Sequence, residues 1–92
     1  MKKEEFYIKL KRTLDDTTKF PAKYLYKFIV PSIGTGPDDI KSKFNGLGAV
    51  IETKVSSKGK YTAVSVLVKM KSSTAIIAKY KEVATVKGVI SL

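Results

Sequence analysis

Residues 49–70, AVIETKVSSKGKYTAVSVLVKM, carry the pattern that decides the fold. From Ala49 to Val55 the side chains alternate, with Ala49, Ile51, Thr53 and Val55 against Val50, Glu52 and Lys54. From Tyr61 to Met70 they alternate again. Val64, Val66, Val68 and Met70 take one side, and Tyr61, Ala63, Ser65, Leu67 and Lys69 the other. A period of two is that of strands with one face turned to a core. Between the two runs, Ser56-Ser57-Lys58-Gly59-Lys60 supplies turn residues, and Gly59 can adopt the positive φ that a hairpin turn demands. The stretch predicts two antiparallel strands joined by a tight turn.

Working outward toward the N-terminus, Gly46 and Gly48 close a short helical stripe of Ile40, Phe44 and Leu47. Thr35 or Gly36 can cap that helix, Pro37 falls in its first turn, and Asp38 and Asp39 sit near the positive end of its dipole. Before it, Pro31–Pro37 has loop composition. Tyr24–Val30 is aromatic and β-branched on both faces, which predicts an interior strand. Phe20-Pro21 marks the turn into it. Phe6, Leu10 and Leu14 recur every four residues and predict a leading helix, ended by Asp15-Asp16-Thr17-Thr18. Toward the C-terminus, Ser72 or Ser73 caps a helix whose stripe is Ile76, Tyr80, Val83 and Ala84, with Lys79, Lys81 and Glu82 facing water. Val86–Leu92 reads as a last strand, with a bulge at Gly88.

After a helical extension over residues 1–19, the order β-α-β-β-α-β over residues 20–92 predicts an α+β fold. It is the ferredoxin-like split βαβ sandwich, a four-stranded antiparallel sheet with two helices on one face. The other sheet face would carry Leu25, Ile29 and Leu67, which suit a covered surface. The expected cover is the Phe6/Leu10/Leu14 helix or a second copy of the chain, a homodimer.

The 92 residues hold 18 basic and 8 acidic side chains and a formal net charge of +10, with no Cys and no His. Their absence excludes a Cys/His zinc site, a disulfide, a thiol nucleophile and an imidazole base. Arg12 is the only arginine. The excess charge is spread along the chain, +4 in residues 1–46 and +6 in residues 47–92. Met1-Lys2-Lys3-Glu4-Glu5 is not followed by a signal-peptide apolar run, and no stretch approaches the roughly 20 apolar residues of a membrane span. A cytoplasmic protein without cofactor or metal is expected.

The turn Ser56-Ser57-Lys58-Gly59-x-Tyr61, followed by a β-branched strand, resembles the signature of the YbeD-like family of bacterial domains of unknown function. Phe20-Pro21 with Tyr24, Tyr26 and Lys27 resembles the opening of that family, and the terminal helix with Tyr80 agrees. The resemblance covers about residues 20–92. Val55 stands where a proline often precedes the serines, and Ala63 where a serine follows the tyrosine. The resemblance implies a fold similar to the ACT regulatory domains, which bind small effectors at dimer interfaces.

Two stretches are candidate ligand sites. Ser56, Ser57, Lys58, Gly59, Lys60 and Tyr61 combine hydroxyls, turn amides and two ammonium groups, a set suited to a carboxylate or phosphate. The same residues also make an ordinary soluble hairpin. Ser32, Gly34, Thr35 and Gly36 lie between a strand and a helix, where backbone amides can meet an anion; they match neither a phosphate-loop nor a dinucleotide pattern. The RNA-recognition signature fails, since Lys60 and Thr62 stand where stacking aromatics belong, with Tyr61 one position out of phase. Neighbouring Ser57 and Lys58 do not converge as a dyad, and Asp15-Asp16 and Asp38-Asp39 read as helix-end charges. The expected function is therefore a non-enzymatic regulatory module binding a small anionic metabolite or a protein partner. The alternative is a nucleic-acid accessory protein using Lys41, Lys43, Lys54, Lys58, Lys60 and Lys69.

Overall fold

A computed structural model describes residues 3–92; the first two residues of the N-terminal extension, Met1 and Lys2, lie outside the described residues. The elements are α1 (Lys3–Thr17), β1 (Ala22–Pro31), α2 (Gly36–Ser42), β2 (Val50–Val55), β3 (Tyr61–Met70), α3 (Ser73–Val83) and β4 (Ile90–Ser91). The strands form one antiparallel sheet in the order β2-β3-β1-β4, the ferredoxin-like arrangement. Strand β1 runs against β3 along ten positions, from Ala22↔Met70 to Pro31↔Tyr61.

The period of two separates the faces as expected. Tyr26, Phe28 and Val30 of β1 and Val64, Val66, Val68 and Met70 of β3 are buried beneath α2 and α3. Ile40 and Phe44 come from the α2 side, and Ile76, Tyr80 and Val83 from α3. Aromatic rings dominate one end of this core. Tyr26 lies 4.9 Å from Tyr80 and 5.2 Å from Phe44 between ring centroids, in edge-on or tilted contacts. The buried hydroxyl of Tyr26 donates to the Ile76 carbonyl at 3.1 Å, and those of Tyr24 and Tyr80 meet at 2.8 Å. Ser72 caps α3 by accepting from the Ala75 amide at 3.0 Å.

Four details depart from the sequence reading. Helix α1 does not cover the open sheet face; it joins the helix layer beside α3. Leu14 is buried there, Tyr7 faces the Tyr80 ring, and the Ser73 hydroxyl donates to the Asp15 carboxylate. The face toward α3 is thus Tyr7, Leu10 and Leu14, and Phe6 is exposed. Helix α2 stops at Ser42, and a succession of turns carries Phe44 into the core but leaves Leu47 outside. Strand β4 is only two residues long, because Gly88 at φ +77 makes a turn and not a bulge. Lys79 does not simply face water: its ammonium donates to the Lys43 carbonyl at 2.7 Å and lies 5.5 Å from the Phe44 ring centre.

Candidate functional site

The hairpin turn is closed by its own first serine. The Ser56 amide donates to the Tyr61 carbonyl at 2.8 Å, the Gly59 amide to the Ser56 carbonyl at 2.8 Å, and the Tyr61 amide to Ser56 Oγ at 3.2 Å. Gly59 sits at φ +73 with open space around it, so its requirement is conformational and not steric. Ser57, Lys58 and Lys60 are exposed and make no side-chain hydrogen bond among the described residues.

The second candidate stretch lies directly beside the first. Because Pro31 pairs with Tyr61, the chain leaving β1 runs against the start of β3. The Ser32 amide donates to the Lys60 carbonyl at 2.9 Å, and its hydroxyl lies 2.8 Å from that of the buried Thr62. Ser32 thus fastens the loop to the sheet. Beyond it, the Thr35 hydroxyl donates to the Asp39 carboxylate at 2.8 Å, and the Asp39 amide to the Thr35 carbonyl at 2.8 Å. The first turn of α2 already holds two carboxylates, Asp38 and Asp39, and an incoming anion meets like charge there. Gly34, Thr35 and Gly36 line a depression of about 520 Å³ with Ile33, Asp39 and the Val86–Gly88 turn.

On the open sheet face, one groove of about 360 Å³ reaches the hairpin turn. Its floor is Ile29 and Ala63, which oppose each other across β1 and β3. Its rim is Lys54, Val55, Ser56, Ser57 and Tyr61. Lys54 pairs with Ala63 across β2 and β3, and this register delivers its ammonium to the groove. No carboxylate lies within ion-pair distance of Lys54 among the described residues; Glu52, two positions away on the same strand, is the nearest acid along β2. A further depression of about 400 Å³ between α1 and β4 is walled chiefly by Phe6, Tyr7, Tyr80, Val89 and Ile90, with Lys3 as its charged side chain.

The structure therefore gathers three of the candidate residues, Ser56, Ser57 and Tyr61, in one groove with Lys54. Lys58, Gly59 and Lys60 lie in the turn without lining it, and Gly34, Thr35 and Gly36 line a separate depression. Ile29 and Ala63 had no place among the sequence candidates. Parity with Tyr61 along β3 places Ala63 on this face, and the β1–β3 register sets Ile29 opposite it.

Three side chains elsewhere have displaced proton affinities. Burial raises the phenol pKa values of Tyr26 and Tyr80 well above the ordinary tyrosine range. Hydrogen bonds from Lys11, at 2.9 Å, and from Ser73 hold the Asp15 carboxyl below its usual value. Among the described residues, no helix is long and apolar enough to cross a membrane.

A family model described as "Protein of unknown function (DUF493)" matches residues 15–92, from the last turn of α1 through β4. No curated protein and no solved structure matches the chain.

Proposed function

The chain belongs to the DUF493 family of proteins of unknown function, and from that premise we propose that it is a non-catalytic module that binds a small anionic ligand. The ligand lies in the groove between the hairpin turn and the open sheet face. One observation carries this reading: Lys54, whose ammonium has no ion-pair partner among the described residues, and the Ser57 hydroxyl stand at the rim of an apolar floor of Ile29 and Ala63. The volume equals that of about a dozen liquid waters, enough for a compact carboxylate or phosphate compound. A non-catalytic role is supported by the lack of Cys and His and by Glu52 being the one carboxylate on this sheet face. The nucleic-acid alternative draws less support, since its six lysines lie on or just after α2, in the turn and on the open face and form no single track.

A thermal-shift panel of phosphate, citrate and free amino acids, at constant ionic strength, tests the proposal. A ligand at a hundredfold excess over its Kd adds about 2.7 kcal/mol. For a domain of this size that is a Tm rise of roughly 10 °C or more. The rise should disappear in Lys54→Ala/Ser57→Ala. No stabilisation by any compound, or a rise that survives the double substitution, overturns the reading.

A further inference from the structure

The open sheet face extends well beyond the groove, in rows set by strand register. Val50, Leu67 and Leu25 form one apolar row, and Ala63, Ile29 and Ile90 form another with the Lys54 stem. Val50 is 60 % exposed, Leu25 50 % and Leu67 37 %, a contiguous apolar surface with nothing packed upon it among the described residues. At the far end, Lys23 and Lys69 stand directly opposite each other on β1 and β3. Like charges in that position repel. Neither lysine has a carboxylate within ion-pair distance among the described residues. With Lys27 and Lys54, the face carries four lysines against a single acid, Glu52.

From this juxtaposition we propose that the open face docks an acidic, aliphatic segment of a partner protein, whose carboxylates reach Lys23 and Lys69 at one end and the groove at the other. The inference rests on the binding reading above for its groove end alone. Charge complementarity selects the occupant. A second copy laid face to face would set four lysines against four, which disfavours the homodimer expected from the apolar residues. Single-stranded RNA needs stacking rings, and this face offers Tyr61 at its rim and no arginine. Length selects a polypeptide over a metabolite. Six residues separate Ala63 from Lys69 on one strand, about 20 Å at the rise of a β-strand. That span is matched by a helix of roughly 13 residues.

The test is selection of a random 16-residue peptide library, displayed on phage, against the full chain. Enriched sequences should combine Asp or Glu with Leu, Ile, Val or Phe. A synthetic peptide from the enriched set should bind Lys23→Glu/Lys69→Glu at least tenfold more weakly than the unaltered chain. The milder Lys23→Gln/Lys69→Gln should weaken it several-fold, which guards against a folding defect in the first variant. Lys9→Glu/Lys41→Glu, an equal charge change on the helix layer, should stay within threefold. Equal losses in the two glutamate variants, enriched peptides without acids, or displacement of the peptide by a 12-nucleotide RNA would overturn the proposal. So would sedimentation as a dimer that Leu25→Glu dissociates. Small-anion stabilisation should persist in Lys23→Glu/Lys69→Glu, so a failed peptide site and a failed groove give different results.

Discussion

Phe28 and Ile29 are neighbours in one strand, yet they belong to two surfaces built on different terms. The face holding Phe28, Tyr26, Val64 and Val66 is closed by helices and filled with rings and β-branched chains. The face holding Ile29, Leu25, Ala63 and Leu67 mixes aliphatic rows with lysines, and nothing covers it among the described residues. A period of two produces both faces in equal amount. What distinguishes them is where the helices land, and here α1 joined α2 and α3 on the side already covered. The covered face should therefore account for stability, and the open face for recognition.

The strongest way to break that division is truncation of adjacent residues. Phe28→Ala removes a ring that is 1 % exposed and should cost about 3–5 kcal/mol in urea unfolding. Ile29→Ala, one residue away, should cost under about 1 kcal/mol. Comparable losses would mean that the open face is a second core, stabilised by something that covers it in solution.

A smaller effect compares two glycine turns at one end of the sheet, where Pro31 pairs with Tyr61. An alanine Cβ at Gly88 would come within 3.0 Å of the Pro31 ring, and the backbone there sits at φ +77. Gly88→Ala should cost about 2–3 kcal/mol, adding that crowding to the left-handed backbone penalty of about 1–2 kcal/mol. Gly59→Ala carries the backbone penalty alone, since open space surrounds it. Equal losses in thermal unfolding would show that the Val86–Gly88 turn is not packed on the end of β1.

Protonation offers a gentler probe of the covered face. With their folded pKa values raised by burial, Tyr26 and Tyr80 stay neutral in the fold where the unfolded chain ionises, near pH 10. Stability is thus whole below about pH 10 and falls as pH rises beyond it. Phenolate absorbance near 295 nm from these two residues should appear only with unfolding. Tyr80→Phe should move the alkaline midpoint upward. At the acid end the sign reverses, since the depressed Asp15 pKa contributes stability above about pH 4 that is lost as pH falls through the folded value. Ser73→Ala should raise the Asp15 pKa, read by carboxyl carbon NMR.

Much of this contrast was legible in the sequence, because strand parity is local information. Residues 49–70 alone specify both the hairpin and the side each chain takes. The landing place of α1 was not legible, since a stripe of Phe6, Leu10 and Leu14 states that a helix has an apolar side without stating against what. The side that packs is Tyr7, Leu10 and Leu14, with the Tyr7 ring turned to Tyr80. The shortness of β4 was not legible either, since Gly88 can serve a bulge or a turn and its φ of +77 makes the turn. For the site, the turn chemistry of Ser56 and Gly59 was readable. The adjacency of Ser32 to Lys60, and of Ile29 to Ala63, follows from the β1–β3 register, which no short stretch contains.

The finest test of the division is a substitution that should scarcely register in unfolding. Leu67→Ser exchanges an exposed aliphatic side chain in the middle of the open face for a small polar one. Its own strand neighbours Val66 and Val68 remain buried, so the change in urea midpoint should correspond to about 0.5 kcal/mol or less. An apolar row interrupted at its centre loses contact area with any segment laid along it, whereas the anion groove, four positions away at Ala63, is untouched. Peptide binding should therefore fall several-fold while small-anion stabilisation stays constant. If Leu67→Ser destabilises the chain as a core substitution does, residues of the open face are structural and the lysines beside them are only a solvated coat.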